Sequence, residues 1–80
     1  MGIITEKING KMIDVEIQSS NITSASYDSE SENLKITFKN GSIYEYTKVP
    51  WQVFTKFRLS QSQGKFFSEH IKSVYTFKKL

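Results

Sequence analysis

The sequence predicts an α+β domain, a small antiparallel sheet of three to five strands covered by two short helices. Three observations carry that reading. Eighty residues without a cysteine leave room for one apolar core and no disulfide staple. From Leu34 to Tyr46, large and polar residues alternate on both sides of Asn40-Gly41, which is the pattern of two strands around a tight turn. After Val49-Pro50 the period lengthens, and Trp51, Phe54 and Arg58 fall on one helical stripe.

Taken in order, the segments Ile3 to Ile8 and Lys11 to Ile17 flank Asn9-Gly10, a pair suited to the two positive φ angles of a type I′ turn. Ile13, Val15 and Ile17 share one face and Asp14, Glu16 and Gln18 the other, so this strand has one wet face. Ile22 to Tyr27 reads as a short strand, and Asp28 to Asn33, with no apolar member, as a hairpin connection. Leu34, Ile36 and Phe38 then alternate with Lys35, Thr37 and Lys39. Tyr44 and Tyr46 share a face opposite Ile43 and Glu45. Proline loses no hydrogen bond in the first turn of a helix, which suits Val49-Pro50 to start a helix over residues 51–59. Ser60 to Gly64 is a polar break, and a second helix at about 65–72 places Phe67, His70, Ile71 and Val74 at helical spacing. Tyr75 to Leu80 alternates and supplies a candidate edge strand.

Composition narrows the functional classes. The longest apolar runs are two residues long, too short for a membrane span or a signal peptide core, and a cysteine-free chain suits the cytoplasm. Charge is uneven: residues 1–47 hold four Lys against seven acids, a balance of −3, whereas residues 48–80 hold seven Lys or Arg against Glu69 alone, a balance of +6. Polyanion binding, where it exists, belongs to the second half.

Catalytic constellations are absent. His70 is flanked by Ser68 and Glu69, but adjacent helical residues point to different sides, so the three make no triad. One His and no Cys give no structural zinc site, Asp14 and Glu16 read as solvated strand decoration, and Asp28, Glu30 and Glu32 lack the glycine and terminal acid of a calcium loop. No metal, cofactor or enzymatic activity is expected.

Two groupings remain as binding candidates. Tyr44 and Tyr46, with Lys48 just beyond, combine base-stacking rings with a phosphate-binding cation, while the same alternation allows both rings to continue the core face. Ser62, Gly64 and Lys65 sit at a helix start, where free amides receive an anion or are satisfied by Ser62 as an ordinary cap. Lys56, Arg58, Lys65 and Lys72 extend a basic strip across the two helices.

The run from Ser19 to Phe77 resembles the KTSC domain. The residues that carry the likeness are Ser20-Asn21-Ile22, Tyr27, the Leu34, Ile36 and Phe38 alternation, and Gly41 followed by Tyr44-Glu45-Tyr46, the central Tyr-x-Tyr of that family. They continue through Val49-Pro50, Phe54, Ser62, Gly64-Lys65-Phe66-Phe67, Ile71 and Tyr75-Thr76-Phe77. The family often has a second large aliphatic or aromatic side chain where Thr55 or Lys56 falls, and the resemblance therefore implies a more polar helix face here. The resemblance implies a domain found alone in bacterial and phage proteins and at the C-terminus of some lysyl-tRNA synthetases. It has no established activity, and that fusion underlies its proposed RNA-binding role. It divides the chain into an N-terminal extension over residues 1–18, a strand or hairpin, and a KTSC-like domain over residues 19–80. The expected partner is RNA or single-stranded nucleic acid. The alternative is a protein partner, as for a small phage factor acting on a host protein, and open sheet edges also allow a homodimer.

Overall fold

A computed structural model describes the backbone of residues 2–80 and the side-chain surroundings from Thr5 onward. Six antiparallel strands lie in sequence order: β1 (Gly2–Asn9), β2 (Met12–Gln18), β3 (Ile22–Asp28), β4 (Asn33–Phe38), β5 (Ile43–Tyr46) and β6 (Phe77–Lys79). Two helices, α1 (Trp51–Leu59) and α2 (Gln63–His70), are inserted between β5 and β6. The α+β class holds, and both terminal segments join the sheet to make six strands among the described residues.

The register aligns one apolar row across the whole sheet, Ile8, Ile13, Tyr27, Leu34, Tyr46 and Phe77, in which the four inner residues are buried. Facing pairs on one side of a sheet pack against each other, and the helices close over that side. Tyr27 stacks on Phe54 of α1 with ring centroids 4.4 Å apart, and Phe67 of α2 meets Tyr46 at 5.4 Å and Phe38 at 5.5 Å. The opposite face is polar. Asp14 and Glu16 each accept a hydroxyl, from Ser26 at 2.6 Å and from Thr5 at 2.7 Å, in keeping with solvated strand decoration.

The turns differ in detail from the sequence expectation. Asn9 pairs with Met12, so the first loop is Gly10-Lys11, and Gly10 alone has positive φ, 65°. A single positive φ at the first central position is the II′ pattern rather than I′. The second loop has three residues, since Phe38 N donates to Ser42 O and Gly41 N to Phe38 O, with Gly41 at φ 90° completing a bulged turn. Pro50 stands at the N-cap of α1 rather than inside it, its carbonyl accepting from Val53 N and Phe54 N.

α2 starts two residues earlier than its apolar spacing suggests, because Gln63 is buried beneath the end of α1. Its Nε2 donates to the carbonyls of Phe57, Arg58 and Ser60 at 3.3, 3.2 and 3.0 Å. The last carbonyls of a helix have no partner of their own, so this one side chain caps the end of α1 from the first residue of α2. Val74 lies beyond α2 and is exposed.

Candidate functional site

Between α2 and the β4, β5 and β6 side of the sheet lies a cleft of about 680 Å³, within the ~300–1,000 Å³ typical of sites for single small ligands. Its walls are aromatic: Phe38, Tyr44, Tyr46, Phe67 and Phe77. They form one connected set, with Tyr44 edge-on to Phe38 at 5.6 Å and Phe77 5.5 Å from Tyr44 and 5.4 Å from Tyr46. The rim carries Asn21, Asn40, Ser42, Ser68, Ser73 and Lys72. Among the described residues no Asp or Glu lines the cleft, and Lys72 is the one charged residue in its lining.

Strand alternation explains how the rings come together. Tyr44 and Tyr46 continue the inner face set by Ile36 and Leu34, their cross-strand partners, so both readings of the pair meet here. Tyr46 is buried at 2% exposure, whereas Tyr44, nearer the end of the helical cover, is half-buried and lines the opening. Phe77 of β6 is 49% exposed and forms the outer wall. Burial, with a smaller contribution from Tyr44, raises the Tyr46 phenol above its ordinary pKa. Tyr27, also raised by burial, donates its hydroxyl to Val49 O at 2.6 Å, but the Tyr46 hydroxyl has no partner among the described residues.

The rim loops meet because Lys39 N donates to Asn21 O at 3.0 Å, bringing the β2–β3 and β4–β5 connections together. Ser42 N donates to Asn40 Oδ1 at 2.9 Å, and Ser19 Oγ donates to Asn21 Oδ1 at 3.0 Å. Gly64 of α2 lies against the β2–β3 connection, so closely that a Cβ there would lie 2.8 Å from Asn21 Oδ1.

Of the candidates chosen from sequence, the structure gathers Tyr44, Tyr46 and Lys72 in the cleft. Lys48 is exposed just after β5, at φ 58°, and Lys56 and Lys65 are exposed on α1 and α2. The Arg58 side chain is only 15% exposed, paired with Glu6 at 2.8 Å and placed over the Trp51 and Phe54 rings at 5.3 and 5.2 Å. Ser62 caps α2 by accepting from Lys65 N at 3.3 Å, so that amide has a partner within the chain. Sequence reasoning did not single out Asn21, Asn40 or the Phe38, Phe67 and Phe77 walls as a site. Alternation and spacing mark the phenylalanines as apolar, but nothing local signals that two loops so far apart in the chain meet.

His70 is exposed at the end of α2 with its ring 4.7 Å from Phe66 and 3.9 Å from Glu69, and no group of three metal-ligating side chains occurs among the described residues. No described helix is long and apolar enough to cross a membrane.

Residues 18–75 match the KTSC domain. The chain is 38% identical over 55 residues, 69% of its length, to a lysine–tRNA ligase of Nostoc punctiforme, and it spans about a tenth of that enzyme's length. It is also 34% identical over 58 residues to an uncharacterized protein of Stutzerimonas stutzeri, covering 72% of this chain and 82% of that one. The crystal structure of a KTSC domain protein from Yersinia pestis superimposes with a TM-score of 0.79 at 33% identity, over 86% of this chain and 97% of that one.

Proposed function

The chain belongs to the KTSC domain family, and on that premise we propose that it is a non-enzymatic cytoplasmic module that binds single-stranded RNA or DNA in the cleft between Tyr44 and Lys72. The observation that carries this reading is a concave aromatic surface beside a lysine, with no carboxylate in its lining among the described residues. Unpaired bases stack on exposed rings while cations hold the backbone, whereas a duplex keeps its base faces covered. The likeness to proteins named lysine–tRNA ligase and the +6 balance of residues 48–80 support an RNA ligand. Lys48, Lys56 and Lys65 then act as outlying phosphate contacts along a strand that leaves the cleft.

The test is a titration of isotope-labelled protein with a short mixed-sequence single-stranded RNA at low and moderate salt, following amide shifts. Saturable shifts at Tyr44, Tyr46, Phe77 and Lys72 that weaken with salt are expected. No shift at high micromolar RNA would overturn the reading.

One observation favours a protein partner as the second reading. Every described side chain of β1 is exposed, Ile8 by 64%, and β1 is an edge of the sheet, where a further strand could add. In that case the shifts move to β1, and they appear with protein rather than RNA.

A further inference from the structure

The rim's amides and its lysine have free donors to offer. Asn40 Oδ1 is taken by Ser42 N and Asn21 Oδ1 by Ser19 Oγ, so both amides are tied back to their own loops by the oxygen and have Nδ2 left for a ligand. Neither Nδ2 has a partner among the described residues, and the orientation of Asn40 is fixed by a backbone donor that accepts no other assignment. Lys72 is a donor only. The Tyr46 hydroxyl, in a residue 98% buried, is a further donor without a partner. Its oxygen is not among the fully buried unpartnered polar atoms, so it reaches the open cleft, where it can donate to or accept from a ligand atom. The serine hydroxyls serve in either role and select nothing.

An aromatic cleft whose backbone-fixed amide, Asn40, and single lysine, Lys72, both present donors suits a flat ligand that offers oxygen acceptors. Resting on the nucleic-acid reading above, we propose that the cleft selects an unpaired uracil over an unpaired adenine. The base lies against Tyr44 and Phe77, its O2 and O4 carbonyls accept from Asn21 Nδ2 and Asn40 Nδ2, and the adjoining phosphate faces Lys72. Uracil presents two carbonyl acceptors where adenine presents an amino donor, and that amino group would meet the amide donors head on. Gly64 leaves the room that Asn21 occupies beside α2, since a Cβ there would lie 2.8 Å from Asn21 Oδ1.

Stacking alone predicts the reverse order, since the larger purine covers more of an aromatic surface. The base preference therefore separates the proposal from unselective stacking. The experiment measures the affinity of the full chain for oligouridine and oligoadenosine of equal length, and repeats both with Asn40→Asp. That variant keeps an oxygen for Ser42 N and therefore the turn, but it exchanges the free donor for an acceptor. Oligouridine is expected to bind about tenfold more tightly, and Asn40→Asp is expected to reduce the ratio of the two affinities, a quantity insensitive to the added negative charge. Equal affinities, or tighter oligoadenosine, would overturn the uracil assignment while leaving nucleic-acid binding intact. Binding of neither oligomer would overturn both.

Discussion

Arg58 of α1 and Glu6 of β1 form an ion pair, Nη1 to Oε2 at 2.8 Å, that ties the N-terminal hairpin to the helical layer. Glu6 lies on the row that continues through Val15, Ala25, Ile36 and Tyr44, so at this edge of the core face a carboxylate stands where an apolar side chain would be expected. The guanidinium explains it: its carbon lies over both the Trp51 and Phe54 rings, and its charge needs a counterion.

Removing that counterion is expected to destabilise the fold. Exposed pairs contribute about 0–1 kcal/mol and breaking fully buried ones costs about 3–5 kcal/mol. With side chains 15% and 36% exposed, Glu6→Ala should cost about 1–2 kcal/mol, read as a lower urea midpoint at unchanged slope. An unchanged midpoint would mean that the hairpin is held by its sheet hydrogen bonds alone.

The two buried tyrosines should respond oppositely to loss of the hydroxyl. Tyr27→Phe leaves the Val49 carbonyl without its donor and is expected to cost about 1–2 kcal/mol. Tyr46→Phe removes a phenol with no partner and should leave stability within about 0.5 kcal/mol, while weakening any ligand that accepts from it. Paired denaturation curves decide the first half and the oligouridine affinity the second.

Gly64 tests the packing of α2 on the rim loop. Gly→Ala inside a helix ordinarily gains about 0.5–1 kcal/mol, but here the new methyl would meet Asn21 Oδ1 at 2.8 Å and Ser19 Oγ at 3.1 Å. Gly64→Ala is therefore expected to gain nothing alone and to recover part of that increment in an Asn21→Ala background. A full gain in the single variant would show that Asn21 moves freely.

Asp28 sets an acid-side dependence. Its carboxylate accepts from Ser31 N and Glu30 N, and these bonds, Ser31 first, hold its pKa below the ordinary value despite opposing desolvation. With the folded pKa depressed, its contribution to stability is complete above the unfolded pKa and is lost as pH falls through the folded one. Asp28→Asn, which still offers an oxygen to the turn, should remove this part of the acid slope in a pH series of unfolding midpoints.

Much of the fold was legible because it is local. The alternation of Leu34 to Phe38 and the Tyr44, Tyr46 pair fixed a face, and the period change after Pro50 marked α1 to the residue. The missing parts are those that depend on distant chain. Gln63 reads as loop filler by composition, yet it caps α1 through three carbonyls. Arg58 reads as one cation in a basic strip, and only the folded position of Glu6 gives it a counterion. The Tyr-x-Tyr half of the cleft follows from strand period, but Asn21 and Asn40 reach the same rim through a contact between two loops that no periodicity encodes.

The placement of β6 has a kinetic meaning. Every other strand pairs with its immediate predecessor through a short turn, a step that takes ~1–10 μs, whereas Thr47 and Thr76, 29 positions apart, meet across the segment that holds both helices. The sheet thus closes by one long-range pairing, and that pairing also delivers Phe77 to the cleft. A ligand seated against Phe77 engages the closed sheet and not the open one, so occupancy and the pairing of β6 form one coupled equilibrium.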